Sequence, residues 1–232
     1  MWRRALRGRR FVRVWDDTVL VAIGDSHAKF WSGRDAVFEP DRLPGIIACH
    51  VGPALAWSLI EEHSTTRAGQ AVRAVLRDLA AQHYAGWVLL CFGEIDLRAH
   101  VLKHEGDLSP NLAELAQRYL AFVRAAKRIH PKIALWAPGA SQPEDSADNP
   151  DFPAVGSETE RNRATRLFTG ILTARARELG VPVLSLLTHL VDAEDRSRRE
   201  FLYDGCHISQ RLMPEARRLL TETLGMALPP AD

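Results

Sequence analysis

Along the chain, short apolar runs alternate with longer stretches in which apolar residues recur three and four positions apart. The runs Val19 to Ile23, Ile46 to Val51, Val88 to Phe92, Ile133 to Ala137 and Val181 to Leu187 are rich in branched residues and predict buried strands. Between them, Ala68 to His83, Leu112 to Ile129, Glu158 to Leu179 and Met213 to Leu224 carry an apolar stripe with charges on the opposite face, which predicts helices. Gly180 stops the third of these helices and Pro182 opens the next strand. The βαβα rhythm predicts an α/β protein: a three-layer α/β/α sandwich around a mostly parallel five-stranded sheet.

In such sheets a ligand sits beyond the carboxyl ends of the strands. That rule singles out Gly24-Asp25-Ser26-His27, Gly52-Pro53, Gly93-Glu94-Ile95-Asp96 and the long polar stretch from Gly139 to Ser157. The last holds Pro143, Pro150 and Pro153 and is too long for a tight connection. It reads either as a substrate-facing loop or as a disordered surface excursion.

Composition narrows the class without naming a chemistry. At 232 residues one domain is the default, and the expectation is a basic arm over 1–16 followed by a single domain over 17–228. With 46% hydrophobic and 25% charged residues the chain has the make-up of a soluble globular protein. A formal charge of +1 gives no global attraction to nucleic acid or to an anionic membrane. The local exception is Arg3, Arg4, Arg7, Arg9, Arg10 and Arg13, which read as a solvated arm or as a contact for phosphate, anionic lipid or an acidic partner. Asp16 and Asp17 interrupt any apolar stretch after that run, and no later run is long enough to cross a bilayer, so neither export nor membrane insertion is expected. Three cysteines, Cys49, Cys91 and Cys206, show no Cys-x-x-Cys pairing and fit a reducing cytoplasm; Cys49 and Cys91 lie in apolar runs and read as core residues.

The candidate chemistry begins with Ser26, which directly follows the first strand with Gly24 allowing a tight turn. This exposes its hydroxyl and puts the following amides at a helix start, oriented toward negative charge developing on a substrate oxygen. The plain alternative for such a serine is a helix cap. A serine nucleophile needs a base, and Tyr203-Asp204-Gly205-Cys206-His207-Ile208-Ser209 supplies one. Asp204 and His207 are three apart, so the carboxylate can fix the imidazole tautomer while the other ring nitrogen faces Ser26. On its own, an Asp-x-x-His is usually a surface turn. His100 and His104 are four apart, but no carboxylate or thiolate partner is evident from spacing, so no metal is expected, and no cofactor is implied.

With Gly-Asp-Ser after the first strand and Asp-Gly-x-His-x-Ser before the last helix, the sequence resembles the SGNH/GDSL hydrolase superfamily from Leu20 to about Leu220. The resemblance implies a flavodoxin-like sandwich, a triad of Ser26, Asp204 and His207, and an oxyanion donor at Gly52. One block departs: where the family reads Gly-x-Asn-Asp, this chain has Gly93-Glu94-Ile95-Asp96, and Ile95 cannot donate. Loss of one such donor typically costs roughly a hundred- to a thousandfold in turnover, unless another group substitutes. Arg98 and His100 are the candidates, and the run Glu94, Asp96, Arg98, His100 is expected to line the active site; the alternative is a structural carboxylate to arginine pair at a helix start. The resemblance implies hydrolysis of an acyl ester, with O-acetyl on a carbohydrate preferred and a small-molecule or carbohydrate ester as ligand. Lipid or thioester hydrolysis, acyl transfer and a catalytically weak binding module stay open, as does the oligomeric state, and no nucleic-acid partner is expected.

Overall fold

The computed structural model describes residues 12–35, 42–103, 106–146 and 150–229. Strands β1 (Leu20–Gly24), β2 (Arg42–Leu43), β3 (Ile46–His50), β4 (Trp87–Cys91), β5 (Ile133–Trp136) and β6 (Val183–Leu184) form one sheet in the order β2-β3-β1-β4-β5-β6. The five strands from β3 to β6 in that order run parallel; β2 is a two-residue antiparallel addition at the edge of β3. Helices α1 (Ala68–Ala81), α2 (Glu94–Ala99), α3 (Leu108–Lys127), α4 (Glu158–Glu178), α5 (Leu187–Leu190) and α6 (Met213–Leu224) complete it.

Alternation along the strands splits the core in two. Val21, Ile23, Val88, Leu90, Ile133 and Leu135 face a layer built from α1, α3 and α4. Their neighbours Leu20, Ala22, Leu89, Cys91, Ala134 and Trp136 face Phe30 and Trp31 and the apolar sides of α5 and α6. Burial on both faces is why these strands read as unbroken apolar runs instead of alternating ones. The expected three-layer α/β/α sandwich is therefore the observed one.

Two elements depart from the sequence expectation by more than two residues at an end. The apolar run Val181 to Leu187 yields only a two-residue strand, because β6 pairs on one side alone, with Leu135 and Trp136, and Ser185 Oγ then accepts from the Leu187 amide at 3.2 Å and turns the chain into α5. Helix α3 starts four residues before the predicted Leu112, at Leu108, because Asp107 caps it by accepting from the Ser109 amide at 2.9 Å.

Of the predicted basic arm, residues 1–11 lie outside the described residues, as does His104. The described part docks on α1: the Val12 amide donates to Asp78 at 3.0 Å, the Val14 amide to Gln82 at 3.2 Å, and Val12 is buried. Among the described residues no helix is long and apolar enough to cross a membrane. Strand addition reverses direction between β1 and β4, so the segments after these two strands flank the crevice where α/β sheets bind ligands. Ser26 follows β1, and Glu94 follows β4.

Candidate active site

The turn after β1 is built by its neighbours. Asp25 accepts from the His27 amide at 3.0 Å and so caps the 3-10 segment Ser26–Ser32, which holds Ser26 at the carboxyl edge of the sheet. The second half of the site comes from the loop before α6. Asp204 Oδ1 accepts from the amides of Cys206 at 3.0 Å and His207 at 2.8 Å, while its Oδ2 lies 2.7 Å from His207 Nδ1. One oxygen thus shapes the turn and the other holds the ring. His207 Nε2 then lies 2.8 Å from Ser26 Oγ, closing the chain from carboxylate to imidazole to hydroxyl. Ser209, the last residue of the same block, donates its hydroxyl to Asp35 at 3.1 Å, and the Gln210 amide donates to the same carboxylate at 2.7 Å, tying the loop to the segment behind Ser26.

The surroundings favour the neutral imidazole. Burial holds the His207 pKa below its ordinary 6.5, and the neighbouring His27 works in the same direction, although Asp204 opposes both. Burial also works against the Asp204 carboxylate, but its bonds to His207 and to two amides outweigh that and bring its pKa to about 2.

Two backbone amides follow the carboxyl ends of β1 and β3. Gly24 pairs with His50 across β1 and β3, so Ser26 and Gly52 each lie two residues beyond the same rung of the sheet. Neither amide donates to a protein acceptor among the described residues. Gly52 has φ +92°, a backbone state that side chains disfavour, with nothing within 4 Å of where a Cβ would sit. Ile95, 6% exposed, presents no donor.

The ionisable run after β4 divides. Glu94 is fully enclosed, with Oε1 2.6 Å from Arg98 Nε and Oε2 3.4 Å from His27 Nε2. Burial opposes its charge, yet the His27 and Arg98 partners bring its pKa down to about 2. The same partnership, together with Cys206, raises the His27 pKa above its ordinary 6.5 despite burial. His27 in turn lies beside His207, its ring centroid 4.7 Å away. Arg98 points its guanidinium to the carbonyl of Phe152, and its own carbonyl accepts from the Val155 amide at 2.9 Å. Asp96 departs from the sequence expectation: it is 3% exposed and accepts from the Ala56 and Trp57 amides at 2.8 and 3.1 Å, so its carboxylate anchors the segment after β3. His100 departs too, because the end of α2 carries it into a cavity of about 380 Å³ lined with Leu55, Trp57 and Leu115, to which neither Ser26 nor His207 contributes. The structural ion pair was one of two readings of this run, and it accounts for the Glu94 to Arg98 contact.

No family model matches the sequence, and no curated protein matches it. Solved structures do. The chain superposes on a GDSL-like lipase of Bacteroides thetaiotaomicron with a TM-score of 0.52 at 13% identity, covering 88% of this chain and 85% of that one. An aryl esterase of M. smegmatis gives a TM-score of 0.51 at 16% identity over 88% of this chain and 100% of that one. A catalytic mutant of an acetylxylan esterase from Geobacillus stearothermophilus gives 0.51 at 16% identity over 92% and 96%. The chain has the fold of the SGNH/GDSL hydrolases.

On this SGNH/GDSL scaffold the described residues of the long stretch 139–157 are fastened at Ser141. Arg161 Nε donates to Ser141 Oγ at 2.7 Å, the Ser141 amide donates to Asn162 at 2.7 Å, and Ser197 Oγ donates to the Ser141 carbonyl at 2.6 Å. Further along, Ser146 comes so close to Gly205 that a Cβ there would lie 2.7 Å from the serine oxygen, so the loop borders the Asp204 to His207 turn. Sequence reasoning missed this network. The available signal was a pair of polar residues, Arg161 and Asn162, on the buried side of α4, both nearly inaccessible. It also missed the approach of Cys206 to His27, which joins residues from opposite ends of the chain.

Proposed function

We propose that the chain is a serine esterase that cleaves a short acyl ester, in particular O-acetyl on a carbohydrate, through an acyl-enzyme on Ser26. The observation that carries this reading is the hydrogen-bonded series Asp204, His207, Ser26, at 2.7 and 2.8 Å, on an SGNH/GDSL fold. His207 Nε2 takes the hydroxyl proton as Ser26 Oγ adds to the ester carbonyl. The amides of Ser26 and Gly52 receive the charge that forms on the carbonyl oxygen. Collapse breaks the ester bond, and His207 returns the proton to the departing alcohol. Water, deprotonated by the same imidazole, then attacks the acyl-enzyme and releases the carboxylic acid.

The short-chain part of the proposal has its own support. Among the described residues, a cleft of about 750 Å³ lined by Val19, Trp87 and Lys132 lies at the amino ends of the strands, away from Ser26. The polar loop bordering the Asp204 turn suits a hydroxyl-rich ligand, and a neighbour of the same fold is an acetylxylan esterase. Activated acetyl, butyryl and octanoyl esters separate the readings: kcat/KM is expected to fall with chain length. A clear preference for octanoyl would replace the carbohydrate reading with a lipid one. Absence of hydrolysis together with failure of a fluorophosphonate to label Ser26 would remove the esterase reading altogether.

A pH profile tests the role of His207. The neutral imidazole is the active form, so kcat/KM rises with pH as His207 loses its proton. Because burial and the neighbouring His27 depress that pKa, the acidic limb is expected below the ordinary histidine value of 6.5. A limb centred above 6.5 would contradict the electrostatics of the site.

A further inference from the structure

Beside the reacting hydroxyl stands a set of groups that ester hydrolysis does not use. Cys206 is the residue before the base, His27 is the residue after the nucleophile, and the turn of the Asp204 loop brings them together with His207. One ligating atom from each of His27, Cys206 and His207 lies within 4.8 Å of the others. The two imidazole side chains are 9% and 17% exposed.

We propose that His27, Cys206 and His207 form a binding site for a thiophilic divalent metal ion of the Zn²⁺ class, and that its occupation switches the serine off. Bonds of about 2.0 Å to imidazole nitrogen and about 2.3 Å to thiolate sulfur put tetrahedral ligands roughly 3.3 to 3.7 Å apart. Side-chain rotations of about an ångström would close the existing cluster to that geometry. Two nitrogens and a sulfur select Zn²⁺, Co²⁺ or copper over Mg²⁺ and Ca²⁺, which prefer oxygen.

Carboxylates already stand behind both imidazoles, as they do around histidines that hold metals. Glu94 Oε2 is 3.4 Å from His27 Nε2, and Asp204 Oδ2 is 2.7 Å from His207 Nδ1. Since Asp204 occupies Nδ1, the metal takes His207 through Nε2. On binding, the Cys206 thiol and the His27 imidazolium each release a proton to solvent, and three protein ligands leave a fourth position for water. The lone pair on His207 Nε2 that bonds the metal is the one that accepts the Ser26 proton, so Ser26 stays protonated and hydrolysis stops. The silencing step rests on the esterase reading; the binding step does not.

Two readouts keep them apart. Co²⁺ is added to the purified chain and followed by absorption for the thiolate-to-cobalt charge-transfer band in the near ultraviolet, and Zn²⁺ is titrated into an acetyl-ester assay with Mg²⁺ as control. The expected result is a saturable band in the wild type and inhibition by Zn²⁺ that a chelator reverses, with no effect of Mg²⁺. Cys206→Ser should lose the band and need at least about tenfold more Zn²⁺ for half-inhibition, while its metal-free rate stays close to wild type. Cys206→Ala, with folding of both variants checked by circular dichroism, gives the same comparison should the serine variant misfold. A band with no hydrolysis at all would keep the metal site and sink the esterase. Hydrolysis with no band, or equal Zn²⁺ sensitivity of wild type and both Cys206 variants, would overturn the metal site and leave the esterase standing.

Discussion

Ser26→Ala is expected to lower turnover of an activated acetyl ester by roughly five to six orders of magnitude, leaving KM and thermal stability nearly unchanged. The Ser26 hydroxyl lies 2.8 Å from His207 Nε2 and is the group the proposed reaction acylates, and its removal leaves the backbone amides and the fold in place. His207→Ala should cost about as much, since members of such a unit fail together, not additively. Asp204→Asn separates chemistry from structure. Its remaining carbonyl oxygen can still accept from the Cys206 and His207 amides, at present 3.0 and 2.8 Å from Oδ1, so the turn survives. The new amide would instead donate toward His207 Nδ1 and impose the wrong tautomer, with a loss of about 10⁴ in kcat. Steady-state kinetics with melting curves in parallel decide the matter. A Ser26→Ala protein that retained even a tenth of the wild-type rate would remove Ser26 from the reaction.

The second large effect is on stability. Gly24→Ala is expected to destabilise the fold by about 3 kcal/mol, because an added methyl has no room. A Cβ at Gly24 would collide with the Cys91 carbonyl and lie 2.7 Å from the Cys91 Cβ, and β4 could make space only by parting from β1. In a chain of this size that amounts to a fall in Tm of about 6 to 12 °C. Activity should fall with it, since the displaced strand end carries Ser26. Gly170→Ala is the control: Gly170 is exposed in α4 with nothing within 4 Å of its Cβ position, and alanine there should be neutral or stabilise by up to about 1 kcal/mol. Urea denaturation of both variants tests the contrast, and equal midpoints would show that β1 and β4 are not so tightly apposed.

The layered fold was legible because each core element carries its own pattern. Met213 to Leu224 has an apolar stripe that makes α6 recognisable without any partner, and Val88 to Phe92 is apolar throughout because both faces of β4 are covered. Where a boundary depends on a single side-chain bond, as with the Asp107 cap at the start of α3 or the Ser185 hydroxyl before α5, hydrophobic spacing is silent, and the predicted ends moved. The run after β4 illustrates a different limit. Glu94, Asp96, Arg98 and His100 are of similar character in the sequence, but successive positions on a helix point in different directions. Glu94 therefore meets His27, Asp96 meets the amides of Ala56 and Trp57, and His100 enters a separate cavity.

By itself the sequence determined the parallel core strands and the four long helices, and it marked Ser26, Asp204 and His207, because periodicity and short blocks are local properties of the chain. Only the tertiary structure decided that Asp96 supports a loop, that Arg98 fastens another, and that Cys206 stands against His27. Such pairings are set by how strands and helices stack across large separations along the chain, where each side chain's neighbours are chosen by packing and not by adjacent residues.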